Sequence, residues 1–230
     1  MCILAGGLGS RLGARVRDTP KPLLEVAGAP FLIHQLRLLA SYGVTDVVLC
    51  VGYRGDAIAE RIGDSCAGIR ITYSHDAPGL DGTLGAIRRA LGKLGERFLV
   101  LYGDTYLRID YAAAARAWEA SSMPAMMTVL RNEGRWGSSN AEFDGRCVVS
   151  YDKRAPAPDM LWIDYGLGGL EASVLAQGEP ATDDLADLYH QLAARGELFG
   201  FEATERFYEI GTPEALVETD RFLRLETTQG

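Results

Sequence analysis

Short apolar runs alternate with amphipathic stretches along the first half of the chain. Ile3–Ala5 reads as a short strand that passes directly into Gly6-Gly7-Leu8-Gly9-Ser10-Arg11. Phe31–Tyr42 places Leu32, Leu36 and Leu39 on one helical face and stops at Gly43. Asp46–Val51 is β-branched and of buried-strand length. A short helix over Asp56–Ile62 and a strand over Ile69–Tyr73 follow. Thr83–Leu94 is a helix, Phe98–Tyr102 is a strand ending at Gly103-Asp104, and the alanine-rich Tyr111–Ala120 is helical. Strands alternating with helices predict a parallel sheet covered on both faces.

After Pro124 the texture changes. Ala125–Leu130, Cys147–Tyr151 and Leu161–Leu170 read as strands with few helices between them, an antiparallel insertion. Helices over Asp183–Ala194 and Glu214–Leu225 and short strands over Leu198–Phe201 and Phe207–Ile210 complete the chain. Repeats, low-complexity segments and linkers are absent, so the expectation is one α/β domain over residues 1–230 with a small β-rich insertion lobe.

Composition narrows the class. With 47% hydrophobic and 23% charged residues, the chain has the make-up of an ordinary globular protein. Its net charge of −8 excludes a basic nucleic-acid footprint. The charge is uneven: residues 1–150 carry a net +2 and residues 151–230 a net −10. Cys2, Cys50, Cys66 and Cys147 form no CxxC pair and no zinc-spaced cluster, so they read as reduced thiols of a cytoplasmic protein. No apolar run reaches membrane-spanning length, and no signal peptide is evident at the N-terminus.

The chemistry concentrates near the N-terminus. Gly6, Gly7 and Gly9 after a strand allow close approach of a ligand to backbone N–H groups, which suits an anion. The spacing fits neither the dinucleotide fingerprint, because Leu12 stands where the third glycine is required, nor a Walker A loop, because no GK[ST] follows. A plain strand-to-helix turn is the competing reading. Arg11, Arg15, Arg17 and Lys21 against Asp18 make a local +3, and Pro20 and Pro22 clamp Lys21. Together these make a polyphosphate cradle; alone, Lys21 would be a surface turn. Asp104, at the end of its strand, lies where open α/β sheets bind ligands, and a carboxylate there suits Mg²⁺ or merely a turn.

LAGGLGSRL followed by TPKPLLEVAGAPFL resembles the sugar-1-phosphate nucleotidyltransferases. The resemblance runs along nearly the whole chain. It is nearest to short members such as heptose-1-phosphate guanylyltransferases and muramic-acid-phosphate uridylyltransferases. It implies a Rossmann-like (GT-A-like) three-layer α/β fold, with residues 1–122 as the nucleotide part and 123–230 as the sugar-phosphate part. It also implies a reaction: a sugar 1-phosphate attacks the α-phosphorus of a nucleoside triphosphate and pyrophosphate leaves. The resemblance assigns nucleotide contacts to Leu4, Ala5, Gly6, Gly7, Gly9 and Ser10, and catalytic roles to Arg11 and Lys21. Asp104 becomes the principal Mg²⁺ ligand. Glu209, in Glu209-Ile210-Gly211-Thr212-Pro213 where relatives carry Asp, becomes the second.

The segment Asp81-Gly82-Thr83-Leu84-Gly85-Ala86 resembles the family's base pocket. Gly82 lets a flat base approach, and Thr83 either donates to a base edge or caps its own helix. Asp76 and Asp81 are acceptors for a guanine edge or solvent-facing residues, so GTP is the expected triphosphate. The resemblance also implies that Lys153, in Asp152-Lys153 where relatives carry Glu-Lys, takes the sugar phosphate, with Gly103 and Asp164 on the acceptor side. Tyr165 stands where relatives have a small residue, which points to an acceptor other than the common hexose or heptose phosphate. The resemblance nonetheless makes GTP with a heptose or hexose 1-phosphate the leading expectation; a UTP- or CTP-dependent transferase acting on another sugar phosphate or a phosphocholine-like acceptor, and a non-catalytic nucleotide-sugar sensor, are the competing functions. The resemblance leaves a homo-oligomer open.

Overall fold

A computed structural model describes the chain except residues 8, 10, 14–18, 77–81, 178–182 and 230, and the side chains of 227–229. Ser10, Arg15, Arg17, Asp18 and Asp81 therefore lie outside the described residues.

Four strands make the centre: β1 (Cys2–Leu4), β4 (Asp46–Val51), β6 (Ile69–His75) and β7 (Arg97–Tyr102). They are parallel, in the order β6, β4, β1, β7. The hairpin β2 (Glu25–Val26) and β3 (Ala29–Pro30) and the short β5 (Ser65–Cys66) were not apparent in the pattern, because two-residue strands carry no period.

Strand alternation sorts the core. Cys2, Val48, Cys50 and Val100 face one side, and Ile3, Val47, Leu49 and Leu101 face the other. Helices α3 (Gly82–Ala90) and α6 (Leu185–Ala194) cover the first side through Leu84, Ile87, Leu188 and Leu192. Helices α1 (Phe31–Ser41), α2 (Gly55–Ile62) and α4 (Tyr111–Ser121) cover the second through Leu36, Leu39, Ile58 and Trp118. This is the three-layer arrangement expected. Helix α4 starts where Asp110 accepts a hydrogen bond from the Ala113 backbone N–H at 2.8 Å.

The β-rich part is not set apart. Strand β12 (Trp162–Glu171) pairs antiparallel with β7, and β9 (Ala125–Arg131) pairs with β12. Strand β13 (Leu198–Ala203) then adds parallel to β9, while β10 (Ala141–Phe143) and β11 (Val148–Tyr151) extend from β12. These five strands, the central four and β5 share one ten-stranded sheet. The expected insertion lobe is thus an extension of the central sheet, because the free edge of β7 offers backbone partners that a local reading does not see. A short helix, α5 (Ala172–Gln177), also went unread.

A second small ladder joins β8 (Thr105–Tyr106) to β14 (Tyr208–Glu209). Helix α7 (Pro213–Gln229) packs beside it through Leu216 and Leu223 against Val26, Phe31 and Tyr106. This ladder brings the C-terminal quarter of the chain to the end of β7.

Candidate active site

After β1 and β4 the chain crosses to one side as far as β6 and returns to β7 on the other side. The carboxyl ends of β1 and its neighbours therefore form a topological switch point, where open α/β sheets bind ligands. A cavity of about 350 Å³ opens there.

The glycine loop forms one wall. Leu4, Ala5, Gly6, Gly7 and Gly9 line the cavity. Close backbone approach requires glycine at two neighbouring points. A side chain at Gly6 would meet a carboxylate oxygen of Asp76 at 2.8 Å and the Gly52 nitrogen at 3.1 Å. A side chain at Gly103 would stand 2.6 Å from the Leu4 carbonyl oxygen, to which the Gly103 N–H donates at 2.9 Å. Gly103 therefore lines the cavity because the ends of β1 and β7 are drawn together there, before any contact with an acceptor is considered.

The cationic groups converge as expected. Arg11 and Lys21 line the same cavity as the glycine loop. Lys21 begins a single 3₁₀ turn, Lys21–Leu23, between Pro20 and Pro22. The turn buries the lysine stem and holds Nζ 2.5 Å from Oδ2 of Asp104. Asp104 also lines the cavity, at the exit of β7.

Glu209 reaches this point through the small ladder. It lies opposite Thr105 in the register, and the following Ile210 N–H donates to the Asp104 carbonyl at 3.0 Å. Burial and then the neighbouring Asp104 charge push the Glu209 carboxyl above its ordinary range, while Lys21 and Arg11 oppose this. Gly211, two residues on, lines the cavity although Glu209 does not. Among the described residues no group of three His, Cys, Asp or Glu forms a protein-only cation cage.

The opposite wall carries the segment that resembles the family's base pocket. Asp76, Gly82 and Thr83 line it, joined by Ala86 of the same segment and by Cys50, which the sequence marks only as a buried thiol. Gly82 has φ +68°, and a side chain there would meet the Asp183 carbonyl oxygen at 2.4 Å. Its role in the fold is therefore to let α6 approach α3. The Thr83 hydroxyl donates to Asp184 Oδ1 at 3.1 Å and accepts from the Leu185 N–H at 2.7 Å, so it caps α6 rather than its own helix.

On the acceptor side, Lys153 lines the cavity with its ammonium 5.7 Å from the Tyr102 ring centroid. Asp152 accepts from the Arg154 and Ala155 N–H groups, each at 2.8 Å, and so builds the turn that presents Lys153. Asp164 does not line the cavity. It accepts from the Tyr151 hydroxyl at 3.3 Å and the Gly166 N–H at 2.9 Å. Burial raises its pKa, against the opposing effects of the Gly166 N–H, Lys153 and Tyr151.

Tyr165 requires a correction. It is 1% exposed and meets the Phe207 ring edge-on at 6.1 Å, on the sheet face covered by α4. Strand alternation turns it away from its neighbour Asp164, so its bulk does not narrow the acceptor side. His34 and His190 are structural: their ring nitrogens lie 2.7 Å from the Val26 carbonyl and 2.6 Å from the Tyr151 carbonyl. The guanidinium groups of Arg135 and Arg206 lie 4.8 and 5.5 Å from the Trp136 ring centroid.

Residues 1–203 match the family described as the MobA-like NTP transferase domain. The chain belongs to this family. The nucleotidyltransferase is 30% identical over 217 residues to D-glycero-alpha-D-manno-heptose 1-phosphate guanylyltransferase of Campylobacter jejuni, covering 92% of this chain and 94% of that one. It is 41% identical over 124 residues to N-acetylmuramate alpha-1-phosphate uridylyltransferase of Neisseria meningitidis, covering 53% of each. The crystal structure of HddC from Yersinia pseudotuberculosis complexed with GMP-PN superimposes with a TM-score of 0.78 at 26% identity, covering 96% of this chain and 98% of that one. The kinship with sugar-1-phosphate nucleotidyltransferases read from the glycine loop and the TPKP segment therefore holds. Among the described residues no helix is long and apolar enough to cross a membrane.

Proposed function

We propose that this nucleotidyltransferase moves a nucleotidyl group from GTP to a heptose or hexose 1-phosphate in the cytoplasm, yielding a nucleotide sugar and pyrophosphate. The observation that carries the reading is the convergence of the glycine loop, Arg11, Lys21 and Asp104 on one cavity at the switch point of the sheet.

The chemistry follows from that arrangement. A phosphate oxygen of the sugar 1-phosphate attacks the α-phosphorus, the bond from that phosphorus to the bridging oxygen breaks, and its electron pair leaves with pyrophosphate. The protein has no covalent step to perform; it positions the two anions and neutralises their charge. Backbone N–H groups of Gly6, Gly7 and Gly9 face the triphosphate. Arg11 neutralises the departing pyrophosphate, and Lys21 lies against the reacting phosphates. Lys153 holds the phosphate of the acceptor, and the half-buried Asp164 lends it a nearby negative charge.

The residues fit a Mg²⁺ ion. The β8–β14 ladder sets Glu209 opposite Thr105, next to Asp104 in the chain, and the Asp104 charge adds to burial in raising the Glu209 pKa; a divalent cation would relieve that repulsion. Mg²⁺ takes one or two carboxylates and completes its shell from phosphates and water, so Asp104 with Glu209 would suffice to hold it. When bound, the ion supplies charge to the phosphates.

GTP is favoured by two points. The relative aligned over 94% of its length is a guanylyltransferase, and Asp76 is a carboxylate acceptor on the base-side wall. UTP or CTP remains the second reading, supported by the uridylyltransferase relative. Pyrophosphate release measured with GTP, UTP and CTP across a panel of sugar 1-phosphates separates them. GTP with a heptose phosphate is expected to be fastest. Preference for a pyrimidine triphosphate overturns the base assignment, and no release with any pair favours a nucleotide-sugar sensor.

A further inference from the structure

We propose that Gln35 is a positioning residue for Asp104, an inference that rests on the reading of Asp104 as the metal carboxylate. Gln35 sits on the buried face of α1 among Phe31, Leu32, Leu36 and Leu39, and it is 1% exposed. Every other residue of that face is apolar. Its side-chain oxygen has no hydrogen-bond partner among the described residues. A buried amide with an unpaired oxygen is a cost to folding, so apolar packing does not account for a glutamine at this position.

The amide nitrogen does account for it. Gln35 Nε2 donates to the Tyr102 carbonyl at 2.9 Å and to the Thr105 carbonyl at 2.7 Å. These two carbonyls straddle Gly103 and Asp104, at the point where β7 ends and the β8–β14 ladder begins. One side chain thus spans the base of the turn that carries the carboxylate. Three further bonds hold the frame: Gly103 N–H to the Leu4 carbonyl at 2.9 Å, Ile210 N–H to the Asp104 carbonyl at 3.0 Å, and the Thr105 hydroxyl to the Tyr102 carbonyl at 3.0 Å. The first ties the turn to the glycine loop and the second ties it to Glu209. Gln35 holds the turn from the helix side and sets how far Asp104 projects into the cavity. Groups that orient a ligating carboxylate without touching the metal typically contribute about 10–100-fold in metal affinity or activity.

The test uses the full chain with Mn²⁺ as a paramagnetic stand-in for Mg²⁺, read by electron paramagnetic resonance with and without GTP, alongside thermal melting and steady-state kinetics. Gln35→Met keeps length and volume but removes the donor. It is expected to weaken Mn²⁺ binding and lower kcat by roughly 10-fold each, with KM for GTP within about twofold. Gln35→Glu keeps the shape but faces two carbonyls with an acceptor, and it is expected to weaken Mn²⁺ binding more than Gln35→Met does. Leu39→Ala, one turn further along the same face, is the control: it lowers the melting temperature but leaves Mn²⁺ affinity unchanged. Wild-type Mn²⁺ affinity in Gln35→Met overturns the proposal, and so does an equal loss in Leu39→Ala. A wild-type chain that binds no Mn²⁺ overturns the metal reading of Asp104 and, with it, the role of Gln35.

Discussion

The Lys21 ammonium lies 2.5 Å from a carboxylate oxygen of Asp104, across 83 residues of sequence. Lys21 is 10% and Asp104 28% exposed, so the pair is only partly open to water. Each charge is placed by rigid backbone, one by two prolines and the other by the end of β7. In the proposed reaction Lys21 exchanges this partner for phosphate oxygens while Asp104 takes up the cation.

Asp104→Asn keeps the shape and one acceptor oxygen but removes the charge. Turnover is expected to fall by roughly 100–1,000-fold, the scale of losing one electrostatic stabiliser of a reacting group. Melting should change little, because Gly103, Asp104 and Thr105 retain their backbone bonds to Leu4, Ile210 and Gln35. Pyrophosphate release at saturating Mg²⁺, beside a melting curve, checks both statements; full turnover in the variant removes Asp104 from the metal site.

Lys21→Met keeps the buried stem and removes the charge. It leaves Asp104 without its ion-pair partner, so a turnover loss of about 100-fold is expected, together with a lower melting temperature. Because the two side chains touch, the double variant Lys21→Met with Asp104→Asn should lose less than the two single effects combined. Additive losses in a double-mutant cycle would show that the two act independently.

Glycines around the cavity divide into two kinds. Gly103→Ala forces a methyl group to 2.6 Å from the Leu4 carbonyl oxygen, in rigid backbone. A loss of about 1–3 kcal/mol is expected, read as a drop of several degrees in melting temperature. Gly7→Ala meets nothing within 4 Å. Its melting temperature should match wild type, while stabilisation by added GTP and Mg²⁺ shrinks as the methyl enters the ligand's space. Loss of stability in Gly7→Ala would make that loop a structural turn.

Asp164 predicts a pH dependence. Burial raises its folded pKa above the unfolded value of about 3.9. The folded state therefore holds a proton that the unfolded state releases at lower pH, so ionised Asp164 costs stability above its folded pKa. That cost disappears as pH falls through the folded value toward the unfolded one. Asp164→Asn should melt higher than wild type at neutral pH, and the difference should vanish in acid. It should also raise KM for the sugar phosphate. A variant less stable at neutral pH would show that the bonds from Tyr151 and Gly166 outweigh the charge.

The central strands, most of the helices and the kinship itself were legible along the chain, for physical reasons. Val47, Val48 and Val51 form a buried strand by their own stiffness, and Leu32, Leu36 and Leu39 mark a helix by spacing alone. Gly6, Gly7 and Gly9 beside Pro20-Lys21-Pro22 write phosphate chemistry into adjacent residues. Even the net −8 concealed a local +3 over residues 11–21.

Long-range pairing had to be decided in three dimensions. The β-rich segment joins the main sheet because β7 has a free edge. Thr83 caps a helix 100 residues away because Gly82 lets α6 come close. Tyr165 turns into the core because of the register of β12. Gln35 reads as one polar position on a leucine-rich helix until the fold puts it behind Asp104. Local propensity depends on neighbours a few residues apart, whereas these contacts arise only when closing the chain brings distant backbone groups within hydrogen-bonding distance.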